Sequence, residues 1–301
     1  MFDLIIVGGG PAGLTAAIYA RRAGKSVLVI EKETFGGQIT FSPKVENIPG
    51  FTSVSGSGFG EALTEQAMEQ GAELECCEVL EIRDGAVKEV VTDDGSFSAK
   101  AVIIATGAKH RLLGIPREED YIGDGISFCA VCDGAFYKDK TVAVVGGGNS
   151  AMQEALLLAE TSKKVIILQN LATFTGEKAL ADQLMQKENV EIHFETVVEE
   201  VIDHGGFAGV RVRHTAKDET EEIMADGLFI AIGLVPQNEP FKNVLPLDKM
   251  GYADAGEDCA VPAKGIFVAG DCRKKRIRQV ATAAADGAVA AIRACDYIDT
   301  L

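Results

Sequence analysis

A chain of 301 residues, 47% hydrophobic and 25% charged, has the composition of an ordinary globular protein, and its length predicts about two domains. The net charge of −16 argues against a nucleic-acid partner, because phosphates select basic surfaces. No apolar run approaches the ~20 residues of a membrane span, and MFDLIIVGGG lacks the basic region of a secretory signal, so we expect a cytoplasmic protein with no membrane role.

From the start of the chain, Leu4 to Val7 predicts an apolar strand. Gly8, Gly10 and Gly13 then complete G-x-G-x-x-G around Pro11 and Ala12, a helix follows to about Ala23, and Ser26 to Ile30 predicts a second buried strand ending in Glu31 and Lys32. The first glycine makes a tight turn, the second admits a pyrophosphate to the backbone, and the third lets helix and strand pack. The acid at the second strand end hydrogen-bonds a ribose. This is a dinucleotide-binding unit. Further on, the adjacent Cys76 and Cys77 lie in the strand-like AELECCEVLEI; neighbouring cysteines do not easily close an unstrained bridge, so we read them as packing.

SFCAVCDGAFY, residues 127–137, sets Cys129 and Cys132 two residues apart with Asp133 directly after. Seven cysteines are too few for a disulfide scaffold and fit a reducing compartment, where a single C-x-x-C is catalytic or metal-binding. Zinc needs a second C-x-x-C or a histidine pair at ligand spacing. The remaining Cys259, Cys272 and Cys295 are scattered, and His110, His193, His204 and His214 form no such pair, so we expect redox chemistry and no metal site. Asp133 has two readings, a turn former or an acid–base group.

The nucleotide pattern then repeats. KTVAVVGGGNSAMQEALLLAETSKKVIILQN places Gly146, Gly148 and Ala151 at the turn positions, and Gly146 to Gln169 spans the same 23 residues as Gly8 to Glu31. Both halves close on a similar strand, AVIIATG and GLFIAIG. We therefore predict an α/β fold with two Rossmann-like dinucleotide-binding domains, the second inserted into the first, with boundaries at 1–112, 113–243 and 244–301. The second copy has Gln169, Asn170 and Leu171 where the first has its acid. It offers neither a carboxylate for a 2′-hydroxyl nor an arginine for a 2′-phosphate. Residues 113–245 also carry 11 basic against 22 acidic side chains, a poor field for a polyanion. The glycines of this copy can equally be kept by the strand-to-helix turn alone.

Near the C-terminus, Asp271 follows a strand in GIFVAGDCRKKRIRQV and is placed to accept hydrogen bonds from a ribityl chain, while Arg278, Gln279 and Val280 open an Ala-rich helix. A helix N-terminus there can stabilise negative charge on a reduced flavin. RKKRIR, residues 273–278, reads either as a solvated loop or as a landing patch for an acidic partner.

The motifs GGGPAG, GGQITFSPKVENIPGF, ATGAKHRLLGIP, CAVCDGAFY, VAVVGGGNSA and GIFVAGDCRKKRIRQVATAAADGAVAA, in this order, resemble the low-molecular-weight thioredoxin reductases over nearly the whole chain. The resemblance implies FAD held by both chain ends and adds Gly37, Gln38, Asn47, Val79, Ala105, Thr106, Gly107 and Gly270 to its contacts. Gln38 and Asn47 can also be loop polar groups. It implies that Cys132 meets the flavin, that Cys129 attacks thioredoxin disulfide, that Asp133 protonates the leaving thiolate, and that the enzyme is a homodimer. NADPH-dependent members follow the second nucleotide strand with H-R-R and then x-x-x-R. Here Gln169, Asn170, Leu171 and Thr175 stand instead. That departure is similar to the ferredoxin-linked flavin thioredoxin reductases, so the implied donor is ferredoxin. The alternatives are an NADPH- or NADH-dependent reductase that grips its nucleotide with other groups, and a flavin-based redox sensor without turnover.

Overall fold

The computed structural model describes residues 1–42 and 44–301. They form two compact units, Met1–Lys109 with Val235–Leu301, and His110–Leu234.

The first unit opens with β1 (Phe2–Val7), α1 (Pro11–Arg22), β2 (Val27–Glu31), α2 (Gly56–Glu69) and β3 (Glu73–Cys76). The antiparallel β4 (Val79–Arg83) and β5 (Lys88–Thr92) follow, and the long β6 (Gly95–Ile104) leads to β7 (Ala108–His110), where the chain enters the second unit. That unit holds β8 (Ile126–Ser127), α3 (Ala130–Asp133), β9 (Thr141–Val145), α4 (Asn149–Ala159), β10 (Lys164–Leu168), α5 (Lys178–Met185) and β11 (Val190–His193). An antiparallel set of β12 (Thr196–Asp203), β13 (Phe207–His214) and β14 (Glu219–Met224) precedes β15 (Gly227–Ile230). The chain returns through β16 (Leu234–Pro236) and ends with β17 (Ile266–Val268) and α6 (Val280–Asp299).

The sheet of the first unit runs β3-β2-β1-β6-β5-β4, and β17 pairs with β6 beyond the stretch that β5 occupies. Its central strands are parallel and apolar throughout, as expected for strands covered on both faces: FDLIIV and VLVIE bury Leu4, Ile5, Ile6 and Val27 to Ile30 almost completely. One face is covered by the small residues of α1 and α6, the other by Phe241, Val244 and Leu245 together with Ile82 and Val90. The second unit repeats the pattern in β11-β10-β9-β15-β8, all parallel, with β12-β13-β14 as a separate sheet.

The units divide at 109/110 and 234/235, whereas the sequence reading placed the boundaries after 112 and 243. Burial explains both differences. Leu113 and Ile115 pack on the second unit's core, and the Arg111 N–H donates to Gly233 within that unit. Phe241 is buried in the first unit's core, which draws the preceding residues with it.

Candidate active site

The three glycines of the first fingerprint do different work. Gly8 sits at φ +112, and a side chain there would meet the Ala105 carbonyl oxygen at 2.3 Å; one on Gly13 would meet the Gly8 carbonyl oxygen at 1.8 Å. Both are required by the polypeptide itself. At Gly10, the N-cap of α1, the nearest atoms would be Gly37 Cα at 3.8 Å and the Gly36 carbonyl oxygen at 4.0 Å, ordinary contacts, so the polypeptide itself does not forbid a Cβ there. Pro11 starts the helix and Ala12 is buried beneath it. Glu31 at the end of β2 accepts the N–H of Gly9 at 2.8 Å and of Glu33 at 2.9 Å, which fixes the carboxylate beside the turn. Lys32 is exposed and paired with Glu78 at 3.3 Å.

The remaining residues singled out for the flavin come together from distant parts of the first unit. Gly37 and Gln38 open a short 3-10 turn, Gln38 exposed. Asn47 donates to the Gln279 side chain at 3.2 Å across 232 positions of sequence. Gln279 in turn forms a capping box with Thr282 that opens α6 at Val280. Ala105, Thr106 and Gly107 follow β6, and the Thr106 hydroxyl donates to Asn238, a fully buried amide that sequence reading missed. Val79 is buried in the core, which leaves only its backbone for a ligand. Gly270 and Asp271 follow β17; Asp271 is half-buried, its Oδ1 makes no hydrogen bond and lies 3.7 Å from Lys275 Nζ, and burial raises its pKa against that opposing charge. An unmatched buried carboxylate oxygen costs free energy until something donates to it, and a ribityl hydroxyl is such a donor.

Within RKKRIR, Arg273 is buried and pairs with Asp286 at 2.8 Å, Lys275 pairs with the same carboxylate at 2.9 Å, and the Arg278 guanidinium lies 4.3 Å from the Tyr252 ring centroid. The exposed positive charge therefore shrinks to Arg276 and to Lys274, itself 3.6 Å from Asp254, beside the 60%-exposed Ile277. Neither a wholly solvated loop nor a six-residue patch describes it.

In the second unit, Cys129 and Cys132 are joined as a disulfide with Cα atoms 5.3 Å apart. The residue that caps α3 is Cys129, so Asp133 is not needed as a cap. Ser127 donates its hydroxyl to Asp133 Oδ2 at 2.6 Å and accepts the Cys129 N–H at 3.1 Å. Asp133 Oδ1 is buried without a partner, and burial raises the pKa of this acid, partly offset by Ser127. A second acid was missed by sequence reading. Glu154 on α4 accepts the Ala130 N–H, leaves Oε2 buried without a partner, and is pushed up to about 7 by burial. Its only sequence signal is a lone acid in NSAMQEALLLA, inseparable from an ordinary helix surface residue.

Because the fold penalises the ionised form of Glu154, its contribution is fully favourable below the ordinary carboxylate range and is lost as pH rises through about 7. The loss is up to about 3 kcal/mol. Glu154→Gln should raise the thermal midpoint at about pH 8 and flatten the pH dependence between about pH 5 and 8; an unchanged slope would remove Glu154 as its cause.

The second nucleotide turn is occupied by the chain's own loop. Gln169 is 3% exposed and donates to the Thr173 carbonyl at 3.0 Å. The Thr175 N–H and hydroxyl both donate to Gly147 O, and Asn149 exchanges two hydrogen bonds with Glu177 at 2.7 and 3.1 Å. These bonds tie Glu177 to Asn149, the first residue of α4.

One expectation needs correction. Cys77 packs partly buried on the core, but Cys76 is exposed, so packing describes only one of the pair; alternation along a strand sends neighbours to opposite faces. His193 and His214, 21 positions apart in sequence and outside any ligand spacing, come close to one another in space beside Glu221.

A nucleotide-binding unit and a second such unit carrying a disulfide beside Asp133 and Glu154 are the parts of a disulfide oxidoreductase. A family model for pyridine nucleotide-disulphide oxidoreductases matches residues 2–287. A 34.2 kDa protein in a rubredoxin operon of Clostridium pasteurianum is 40% identical over 98% of this chain and 97% of its own. Thioredoxin reductase of Bacillus subtilis is 38% identical over 100% and 96%, and the crystal structure of thioredoxin reductase from Streptococcus pyogenes matches with a TM-score of 0.95 at 36% identity, over 100% and 99%. The chain belongs to the pyridine nucleotide-disulphide oxidoreductase family, within its low-molecular-weight thioredoxin reductases. It is a flavoprotein, and FAD is the cofactor of this family. Among the described residues no helix is long and apolar enough to cross a membrane.

Gly10, where the polypeptide tolerates a Cβ, and Asp271, whose Oδ1 makes no hydrogen bond, fit FAD. Gly10→Val should yield folded protein that no longer retains FAD, because the polypeptide has room for the side chain and the pyrophosphate does not. Full yellow colour in that variant would count against this cradle.

Proposed function

We propose that this chain reduces the disulfide of thioredoxin with electrons from reduced ferredoxin, passed through FAD to Cys129–Cys132, as a cytoplasmic homodimer. The observation that carries the choice of donor is the closed second nucleotide turn: buried Gln169, a loop bonded to Gly147, and Glu177 held at the start of α4. Bound FAD supplies the chemistry that joins one-electron delivery to two-electron reduction of a disulfide. Two reduced ferredoxins and two protons are consumed for each thioredoxin disulfide opened.

The chain's own groups perform the rest. Gly10, Glu31, Gly37, Asn47, Asp271 and Gln279 hold the cofactor. Cys129 attacks the target disulfide and Cys132 resolves the mixed disulfide, while Asp133, whose pKa burial raises, gives a proton to the departing thiolate. Glu154 supplies a second buried acid against α3. Lys274 and Arg276 offer a small cationic contact for an acidic carrier, so the rate with ferredoxin should fall as salt screens that attraction.

Anaerobic steady-state assays with oxidised thioredoxin test this reading. Reduced ferredoxin should support continuous turnover and NADPH should not. Turnover with neither donor would favour the redox-sensor alternative.

A further inference from the structure

We propose that His193, His214 and Glu221 form a binding site for a divalent transition metal of the zinc type, separate from the disulfide and the flavin. One ligand atom from each lies within 4.8 Å of the other two. The three residues come from β11, β13 and β14, so the site joins the parallel sheet of the second unit to its antiparallel one.

Hydrogen bonding fixes how His214 is presented. The Thr196 hydroxyl donates its single hydrogen to the Phe194 carbonyl at 2.8 Å. It can therefore meet His214 Nδ1, 3.0 Å away, only as an acceptor, which makes Nδ1 the protonated nitrogen of the ring. The lone pair of Nε2 then points at Glu221 Oε2, 2.9 Å away. Two acceptors facing each other at that distance repel unless a cation lies between them. Thr196 is 1% exposed, so this orientation is held by a buried group. A protonated ring nitrogen anchored behind a basic one is the arrangement by which proteins orient metal-binding imidazoles.

His193 is presented in a related way. Its ring lies 5.9 Å from that of His214 at an interplanar angle of 21°, and Glu191 holds its Nε2 at 2.5 Å. Glu191 is itself paired with Lys164. Nδ1 is thereby left as the basic nitrogen of His193.

Two imidazoles and one carboxylate suit zinc, with positions left for water. Bonds of ~2.1 Å place neighbouring ligands ~3.4 Å apart, so Glu221 Oε2, 2.9 Å from His214 Nε2, draws back by about half an ångström to admit the ion while the wider spacing within the triad, at most 4.8 Å, closes. Access is open: His214 and Glu221 line a groove of about 540 Å³ with Glu195, Glu219 and Lys217, where carboxylates outnumber the single cation.

The test uses the oxidised, FAD-loaded protein on a Cys76→Ser, Cys77→Ser background, which removes the competing vicinal thiols. Zinc titrated by calorimetry should bind with one equivalent and raise the thermal midpoint. His193→Gln, His214→Gln and the surface change Glu221→Gln should each weaken binding at least ~10-fold, and Thr196→Val, which frees the imidazole, by about the same factor. FAD content and thioredoxin reduction should stay at the parent level, which separates loss of this site from failure of the proposed function or of the fold. No zinc binding by the parent, or binding undiminished in the histidine and Glu221 variants, overturns the proposal and assigns a proton to the gap.

Discussion

Cys129→Ser and Cys132→Ser should each bring thioredoxin reduction to background while FAD stays bound. Opening the substrate disulfide requires one thiolate to attack a substrate sulfur, breaking that bond and forming a mixed disulfide. The second cysteine must then break the mixed disulfide, re-forming Cys129–Cys132 and releasing the substrate as a dithiol. A lone cysteine can complete the first exchange and not the second. Cofactor retention is expected because the residues assigned to FAD all lie in the other unit. Asp133→Asn should keep the pair and slow the exchange by about 10²-fold or more, the scale of a lost general acid. Multiple turnovers by either serine variant would sink the dithiol mechanism.

The larger difference is expected between donors. Charge-assisted contacts to a phosphate are worth about 1.5–3 kcal/mol each. Losing two or more of them should weaken NADPH binding by at least about a hundredfold. Glu177, tied to Asn149 at the start of α4, adds negative charge near this turn. Gln169 does not substitute for the missing groups: its amide is spent on the Thr173 carbonyl and buried. Millimolar NADPH should therefore reduce the bound flavin slowly or not at all, whereas ferredoxin needs no nucleotide crevice.

Much of this was legible in the sequence because it is local. Gly13 is dictated by the Gly8 carbonyl five residues before it, and Glu31 binds Gly9 and Glu33 within one strand–helix–strand unit, although Gly8 also answers to Ala105 on a distant strand end. The buried parallel strands announce themselves as unbroken apolar runs. Asp133 was visible beside Cys132, but its unmatched oxygen and its link to Ser127 depend on how α3 is set after β8. Glu154 was invisible because its burial depends on the packing of α4 against α3. The ion pairs of RKKRIR were hidden for a similar reason: Asp286, which neutralises Arg273 and Lys275, lies on a helix that no spacing rule connects to them. His193 and His214 meet only through the pairing of three strands with a fourth element, a register that periodicity does not encode.

The most direct test of the donor assignment is an anaerobic titration of the FAD-loaded protein followed by flavin absorbance, first with NADPH and NADH and then with reduced ferredoxin. The closed second nucleotide turn predicts that the flavin stays oxidised with either nicotinamide and bleaches with ferredoxin, with thioredoxin restoring its colour. Rapid bleaching at micromolar NADPH would contradict it and return this chain to the nicotinamide-dependent reductases.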